Sequence, residues 1–167
     1  MTLNLSWITS GLAVGGSFPC EAVERLVSEH RIGAVVDLRE EACDDAQLLR
    51  AHAVELLHLP TEDHGPICPR MLDDGITFVA THLARGRRVL VHCEHGIGRS
   101  ALLALCVLVD GGLAPLEALE LAKTRRALVS PSPAQLAAWS AWLHGRGIAA
   151  PPFDELAAIA YRHLRGS

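Results

Sequence analysis

Five residues, Gly96 and Gly98 among them, separate Cys93 from Arg99, after Arg88-Val-Leu-Val-His92 and before the apolar run Ala101 to Val109. That order predicts a buried strand, a tight turn and a buried core helix. The glycines permit positive φ, so backbone N–H groups converge at the helix N-terminus, where an anion is favoured. A loop wrapped around one anion brings the Cys93 thiol beneath it and the Arg99 guanidinium beside it. Those amides, the helix dipole and Arg99 favour the thiolate, whose free pKa of ~8.5 falls to ~3.5–7.5 in such settings. Arginine suits its position because a planar fork bonds two phosphate oxygens at once. The Ser100 hydroxyl is placed to donate to the thiolate. The chemistry these residues describe is attack on a held phosphate.

His92-Cys93, five residues and Arg99-Ser100 after a strand resemble the active-site signature of the cysteine-dependent protein tyrosine phosphatases, in particular the small dual-specificity branch. The resemblance runs in element order from about Trp7 to Arg146. It implies a phosphate-binding loop of Glu94, His95, Gly96, Ile97, Gly98 and Arg99, a phosphocysteine intermediate and no cofactor. For His92 it implies a supporting hydrogen bond. The segment Leu59-Pro-Thr-Glu-Asp63 resembles the family's general-acid segment, which implies that Asp63 protonates the leaving oxygen and later takes a proton from attacking water. Asp37-Leu-Arg39-Glu40-Glu41 resembles a chiefly structural segment, with an ion pair at Arg39. Arg125 and Arg126 precede Ser130-Pro-Ser-Pro133, which flanks the family's cleft, so they either bind a second anionic group or form a solvated helix end.

Competing assignments remain open at this level. Glu62, Asp73 and Asp74 compete with Asp63, although Asp73 and Asp74 fit a helix start. His64 reads as a solvent-facing loop residue. Gly96-Ile-Gly98-Arg-Ser-Ala101 fits a loose dinucleotide pattern, but three residues intervene between strand and first glycine and the expected acidic strand end is missing. Sulfur- or arsenic-transferring enzymes also use a loop cysteine around an oxyanion; arsenate reduction needs a resolving thiol, for which Cys43 and Cys68 are available, and their plain reading, with Cys20 and Cys106, is packing. His92 and His95 lack further ligands at metal spacing, so no metal is expected. A non-catalytic phospho-binding module is opposed by the coexistence of Cys93, Arg99 and Asp63.

With 167 residues and 50% hydrophobic content, the chain fits one domain with a substantial core. A net charge of -4 argues against a general nucleic-acid or membrane partner. No secretory pattern opens the sequence, so a cytoplasmic monomer is expected. Five cysteines without C-x-x-C spacing fit reduced thiols. The expected substrate is a phosphorylated protein or a small phosphate ester. A single tyrosine suggests a shallow cleft, open to phosphotyrosine and phosphoserine or phosphothreonine. Phosphoinositide, sugar and RNA 5′-phosphate esters stay as alternatives, with Glu94 expected to repel highly anionic ones.

Two short strands about Thr9-Ser10-Gly11 lead to a helix from Cys20 to His30, which Gly33 should stop. Strands at Ala34 to Leu38 and Val54 to Leu59 flank a helix opened by Asp44-Asp45. Pro60 to Pro69 reads as an irregular surface loop, and helices follow from Pro69, Pro115 and Ser132-Pro133, the last with a Ser132/Gln135 capping box. This alternation predicts an α/β fold with a mainly parallel sheet covered by helices on both faces. Residues 1–147 form the expected catalytic domain. Residues 148–167 form a linker and a last helix, capped by Asp154, whose Leu156, Ile159, Ala160 and Leu164 dock onto it.

Overall fold

A computed structural model describes residues 2–165. Its sheet contains β1 (Leu5–Trp7), β2 (Leu12–Gly15), β3 (Ile32–Arg39), β4 (Glu55–Thr61) and β5 (Arg88–His92), ordered β1-β2-β5-β3-β4. β1 runs antiparallel to β2, while β2, β5, β3 and β4 are mutually parallel. The mainly parallel sheet expected from the alternation of elements is therefore present. The hairpin forms because Thr9 Oγ1 accepts from the N–H groups of Gly11 and Leu12.

Alternation along the strands splits the core in two. Val36, Leu38, Val89 and Val91 face α3 (Pro69–Ala84), α4 (Arg99–Asp110), α5 (Pro115–Arg125), α6 (Pro133–Gly145) and α7 (Phe153–Ala160). Ala13, Val35 and Leu90 face α1 (Val23–Ser28) and α2 (Ala46–Ala51). Every residue of α4 from Arg99 to Val109 is buried, which explains a helix apolar on all sides. The capping box is formed: Ser132 Oγ accepts from Gln135 N–H and Gln135 Oε1 accepts from Ser132 N–H.

Several boundaries differ from expectation. A 3-10 turn at Cys20–Ala22 precedes α1, and the helix is ended by Arg31 at φ +56°, not by Gly33, which lies within β3 at a register shift between Ile32 and Ala34. β4 continues through Pro60 and Thr61 because the ladder to β3 runs on to Arg39 and Thr61. Asp45 alone caps α2, accepting from Leu48 N–H, while Asp44 turns inward. Pro152, not Asp154, occupies the N-cap of α7, and Leu164 lies in a 3-10 turn with 69% of its surface exposed. Cys20, Cys43 and Cys68 are exposed rather than packed, whereas Cys106 is fully buried. Leu156 and Ala160 of α7 are fully buried against α5 and α6. Among the described residues no helix is long and apolar enough to cross a membrane.

Because four strands are parallel, the loops after β2, β3, β4 and β5 emerge at one end of the sheet. Ligands in such sheets bind beyond the strand C-termini. The loops carry Gly16 to Ser17, Glu40 to Asp45, Glu62 to Cys68 and Cys93 to Gly98 respectively.

Candidate active site

The loop after β5 is held by its carbonyls. Glu94 O accepts from Ser17 N–H at 2.9 Å, His95 O and Gly96 O from the Arg126 guanidinium at 3.0 and 2.8 Å, and Ile97 O from Ser130 N–H at 2.9 Å. With those carbonyls engaged outward, the N–H groups of Gly96 and Ser100 face the Cys93 sulfur. Gly96 sits at φ +70°, and a Cβ there would lie 2.5 Å from the Gly15 carbonyl carbon. Two constraints therefore demand glycine at one position.

Cys93 Sγ lies 3.3 Å from Ser100 Oγ and 3.3 Å from Gly96 N, with the thiol almost fully buried. Burial opposes its ionisation, yet hydrogen bonds from the Ser100 side chain and the Ser100 and Gly96 amides, with the charge of Arg99, hold the thiol below its usual range. A Ser100→Ala variant removes one of those donors to a charged acceptor, worth about 1.5 kcal/mol, so its Cys93 thiol should ionise at higher pH than in the wild type. The check is the pH dependence of Cys93 alkylation: the midpoint should move upward in the variant, and an unchanged midpoint would remove Ser100 from the account.

Arg99 is 1% exposed at the start of α4. Its Nη1 donates to Glu41 at 2.7 Å and to Thr61 O at 2.8 Å, and Nη2 lies 3.5 Å from Asp63 Oδ1. Burial works against the cation, while Glu41, Cys93 and Asp63 keep it charged. Its Nε is buried with no hydrogen-bond partner. A buried unmatched donor is costly, so an anion seated between Nε and the loop amides satisfies it. Glu41 was hidden in an acidic run beside Arg39, where sequence alone does not say which cation it meets.

Asp63 lies in the turn after β4, half exposed, with Oδ1 accepting from His64 N–H at 3.0 Å. It lines a cavity of about 200 Å³ together with Cys93, His95, Ser130, Ser132 and Gln135. His64, at φ +63°, stands exposed on the rim. The turn is tied down by Ser132 Oγ donating to His64 O and Gln135 Nε2 donating to Gly65 O. The alternatives Asp73 and Asp74 fall within α3, and Asp73 lines a different groove, with Pro66 and Trp142.

Behind the loop, His92 is fully buried, with Nδ1 3.1 Å from Cys93 O and Nε2 2.6 Å from Asp44. Burial disfavours its cation, but Asp44 and Asp37 overcome this and raise the imidazole above its ordinary range. Arg39 joins Asp37, Asp44 and Glu94 at 3.0, 3.1 and 3.3 Å. Two groups in this region have metal-like donor spacing, Asp37/Cys43/His58 and Asp37/Asp44/His92. Arg39 and backbone N–H groups already occupy both oxygens of Asp37, so a cation has no favourable place there.

Two expectations change here. Arg126 is neither an anion site nor a solvated helix end: it is 5% exposed and also donates to Asn4 and Ser6, so its donors are spent on the loop. Arg125 is exposed. Glu94 does not present a free charge to the ligand, because it accepts from Arg39 and Ser17, which hold it below the usual carboxylate range despite partial burial.

Residues 16–142 match the family model described as dual specificity phosphatase, catalytic domain. The mouse "Phosphatidylglycerophosphatase and protein-tyrosine phosphatase 1" is 30% identical over 130 residues, covering 72% of this chain and 67% of that protein. Mouse dual specificity protein phosphatase 2 is 36% identical over 76 residues, or 44% of this chain, and this chain spans only 24% of that relative's length. A crystal structure of PTPMT1 in complex with PI(5)P superimposes with a TM-score of 0.76 at 25% identity, covering 84% of this chain and 96% of that one. The active form of Tk-PTP gives 0.78 at 23%, covering 87% and 99%, a likeness of fold. The chain belongs to the dual specificity phosphatase family of the cysteine-dependent protein tyrosine phosphatase superfamily.

Proposed function

We propose that the chain hydrolyses phosphate monoesters through a phosphocysteine intermediate. The observation that carries this is a buried Cys93 thiol held toward the thiolate under convergent amides, beside an Arg99 whose Nε lacks a partner. Phosphate oxygens occupy the loop amides and the free edge of Arg99. Cys93 Sγ attacks phosphorus, the P–O bond to the leaving group breaks, and Asp63 gives that oxygen its proton. Asp63 then takes a proton from water, which attacks phosphorus and expels the Cys93 thiolate, leaving inorganic phosphate. His92 and Ser100 act through the sulfur: His92 holds the Cys93 carbonyl and Ser100 donates to the thiolate. No cofactor enters, and a reducing cytoplasm suits a free thiolate.

General acid catalysis contributes about 10²–10⁴-fold. Asp63→Asn should therefore fall by about 10² with phenyl phosphate, a poor leaving group, and much less with para-nitrophenyl phosphate. Equal losses with both esters would transfer the role to another group.

Phosphotyrosine and phosphoserine or phosphothreonine in proteins form the first substrate reading, supported by a small open cavity with serine and histidine walls. A phospholipid or other polyol phosphate is the second. It is favoured by the ion pair of Glu94 with Arg39, which lessens the repulsion expected for anionic headgroups, and by relatives named phosphatidylglycerophosphatase or phosphatidylglycerophosphate phosphatase. Comparing kcat/KM for phosphopeptides against phosphatidylglycerophosphate in mixed micelles separates them; preference for the peptide supports the first, and preference for the lipid replaces it. A monomer acting without nucleic-acid or membrane partners fits the first reading.

A further inference from the structure

Lys123 in α5 is 2% exposed, yet its three acceptors include no carboxylate. Nζ donates to Val129 O at 2.6 Å, to Ala160 O at 2.7 Å, and lies 2.7 Å from His163 Nδ1. Burial, with Arg162 nearby, pushes the ammonium down to about 8, so at neutral pH it keeps the three protons that three acceptors require. Ala160 O is at the C-terminal end of α7, where a cation is favoured. Tyr161, the next residue, donates its hydroxyl to Pro131 O at 2.5 Å.

Both acceptors on the other side belong to one short segment. Val129 and Pro131 flank Ser130, whose N–H holds Ile97 O and whose side chain lines the cavity, and Ser132 follows, holding His64 O. Residues 129–132 thus form a wall joined to the phosphate-binding loop on one side and the Asp63 turn on the other. Only Ser132, the N-cap of α6, ties the wall to a regular element of its own stretch of chain. Its far side is fastened to the end of α7.

We propose that Lys123 and Tyr161 are positioning residues, which pin the 129–132 wall to the end of α7 so that the C-terminal helix sets affinity for the substrate beyond its phosphate. The inference rests on the phosphatase reading above. The phosphate itself meets the Cys93 loop, three of whose carbonyls, those of Glu94, His95 and Gly96, are held by Ser17 and Arg126 independently of the wall, which holds only that of Ile97. The part of the ester outside the loop meets Ser130 and Ser132, and loses a preorganised surface.

The test uses the full chain with O-methylfluorescein phosphate as a bulky ester, and tungstate inhibition as a probe of the phosphate loop alone. Lys123→Met should raise KM about fivefold to tenfold and Tyr161→Phe about threefold, each the loss of order one hydrogen bond's ordering, with kcat and the tungstate inhibition constant within about twofold. Unchanged KM in both variants would overturn the proposal. So would parallel losses of kcat and tungstate affinity, which would place Lys123 in general support of the fold. Tyr161→Phe removes one hydroxyl, so it decides the matter if Lys123→Met does not fold. Wild type that binds tungstate but hydrolyses no ester would sink the phosphatase reading and this inference with it.

Discussion

Replacing Cys93 by serine is expected to lower para-nitrophenyl phosphate hydrolysis by at least about 10⁴-fold, while tungstate binding persists. Losing a covalent nucleophile whose partners remain costs up to about 10⁶ in comparable machinery, and the anion site alone sustains the residual rate. The geometry makes this substitution selective. Sγ is held by Ser100 Oγ and Gly96 N, both at 3.3 Å, so a smaller hydroxyl fits the same space. A serine hydroxyl, however, ionises far above the thiol, and donors that shift the thiol downward leave it protonated. The loop is shaped by Ser17, Arg126 and Ser130 acting on its carbonyls, none of which depends on sulfur. Catalysis and anion binding should therefore separate in this variant. Parallel loss of both would mean that the sulfur holds the loop together.

Arg99→Lys is expected to cost about 10³-fold in kcat/KM, the scale of losing a preorganised donor from a site of developing charge. Charge is conserved in this change, so the loss isolates geometry. Arg99 spends Nη1 on Glu41 and Thr61 O, leaving along its other planar edge an Nε with no hydrogen bond and an Nη2 whose nearest acidic partner is Asp63 at 3.5 Å. A lysine ammonium reaches Glu41 and Thr61 from the same stem but has no second planar edge for the phosphate. Its effect should therefore fall on both substrate binding and turnover, and the tungstate inhibition constant should rise with it. A rate within about tenfold of wild type would show that the loop amides alone hold the phosphate.

The Cys93 loop was legible because its chemistry is local: strand, glycines, Arg99 and Ser100 follow one another, and the same residues meet in space. Asp63 was legible at one remove, since parallel strands bring the loops after β4 and β5 to the same end of the sheet, on either side of β3. Glu41, Asp44 and Arg126 were not. Asp44 read as a helix start, yet β3 delivers it to His92 and Arg39, a tertiary pairing that outweighs the capping preference taken up by Asp45. Arg126 read as an anion ligand or a solvated helix end because its acceptors on the loop are carbonyls, which any residue carries, and Asn4 and Ser6 lie 122 and 120 residues away. Glu94 read as a repulsive charge for the same reason: Arg39 lies 55 residues away and only the sheet order brings it within 3.3 Å. The end of the last helix was misplaced because Leu164 keeps the apolar period of α7, whereas the chain turns at Tyr161 toward Pro131.

Cys93 is expected to carry the phosphoryl group during turnover. Rapid acid quenching of Asp63→Asn during turnover of para-nitrophenyl phosphate, followed by peptide mass spectrometry, tests it directly, because this ester needs little leaving-group assistance whereas the hydrolysis of phosphocysteine needs the base. One added phosphoryl group is expected on the peptide containing Cys93, and none in the corresponding Cys93→Ser double variant. Turnover with no adduct on Cys93, or with the phosphoryl group on His95 or Ser100, would contradict it.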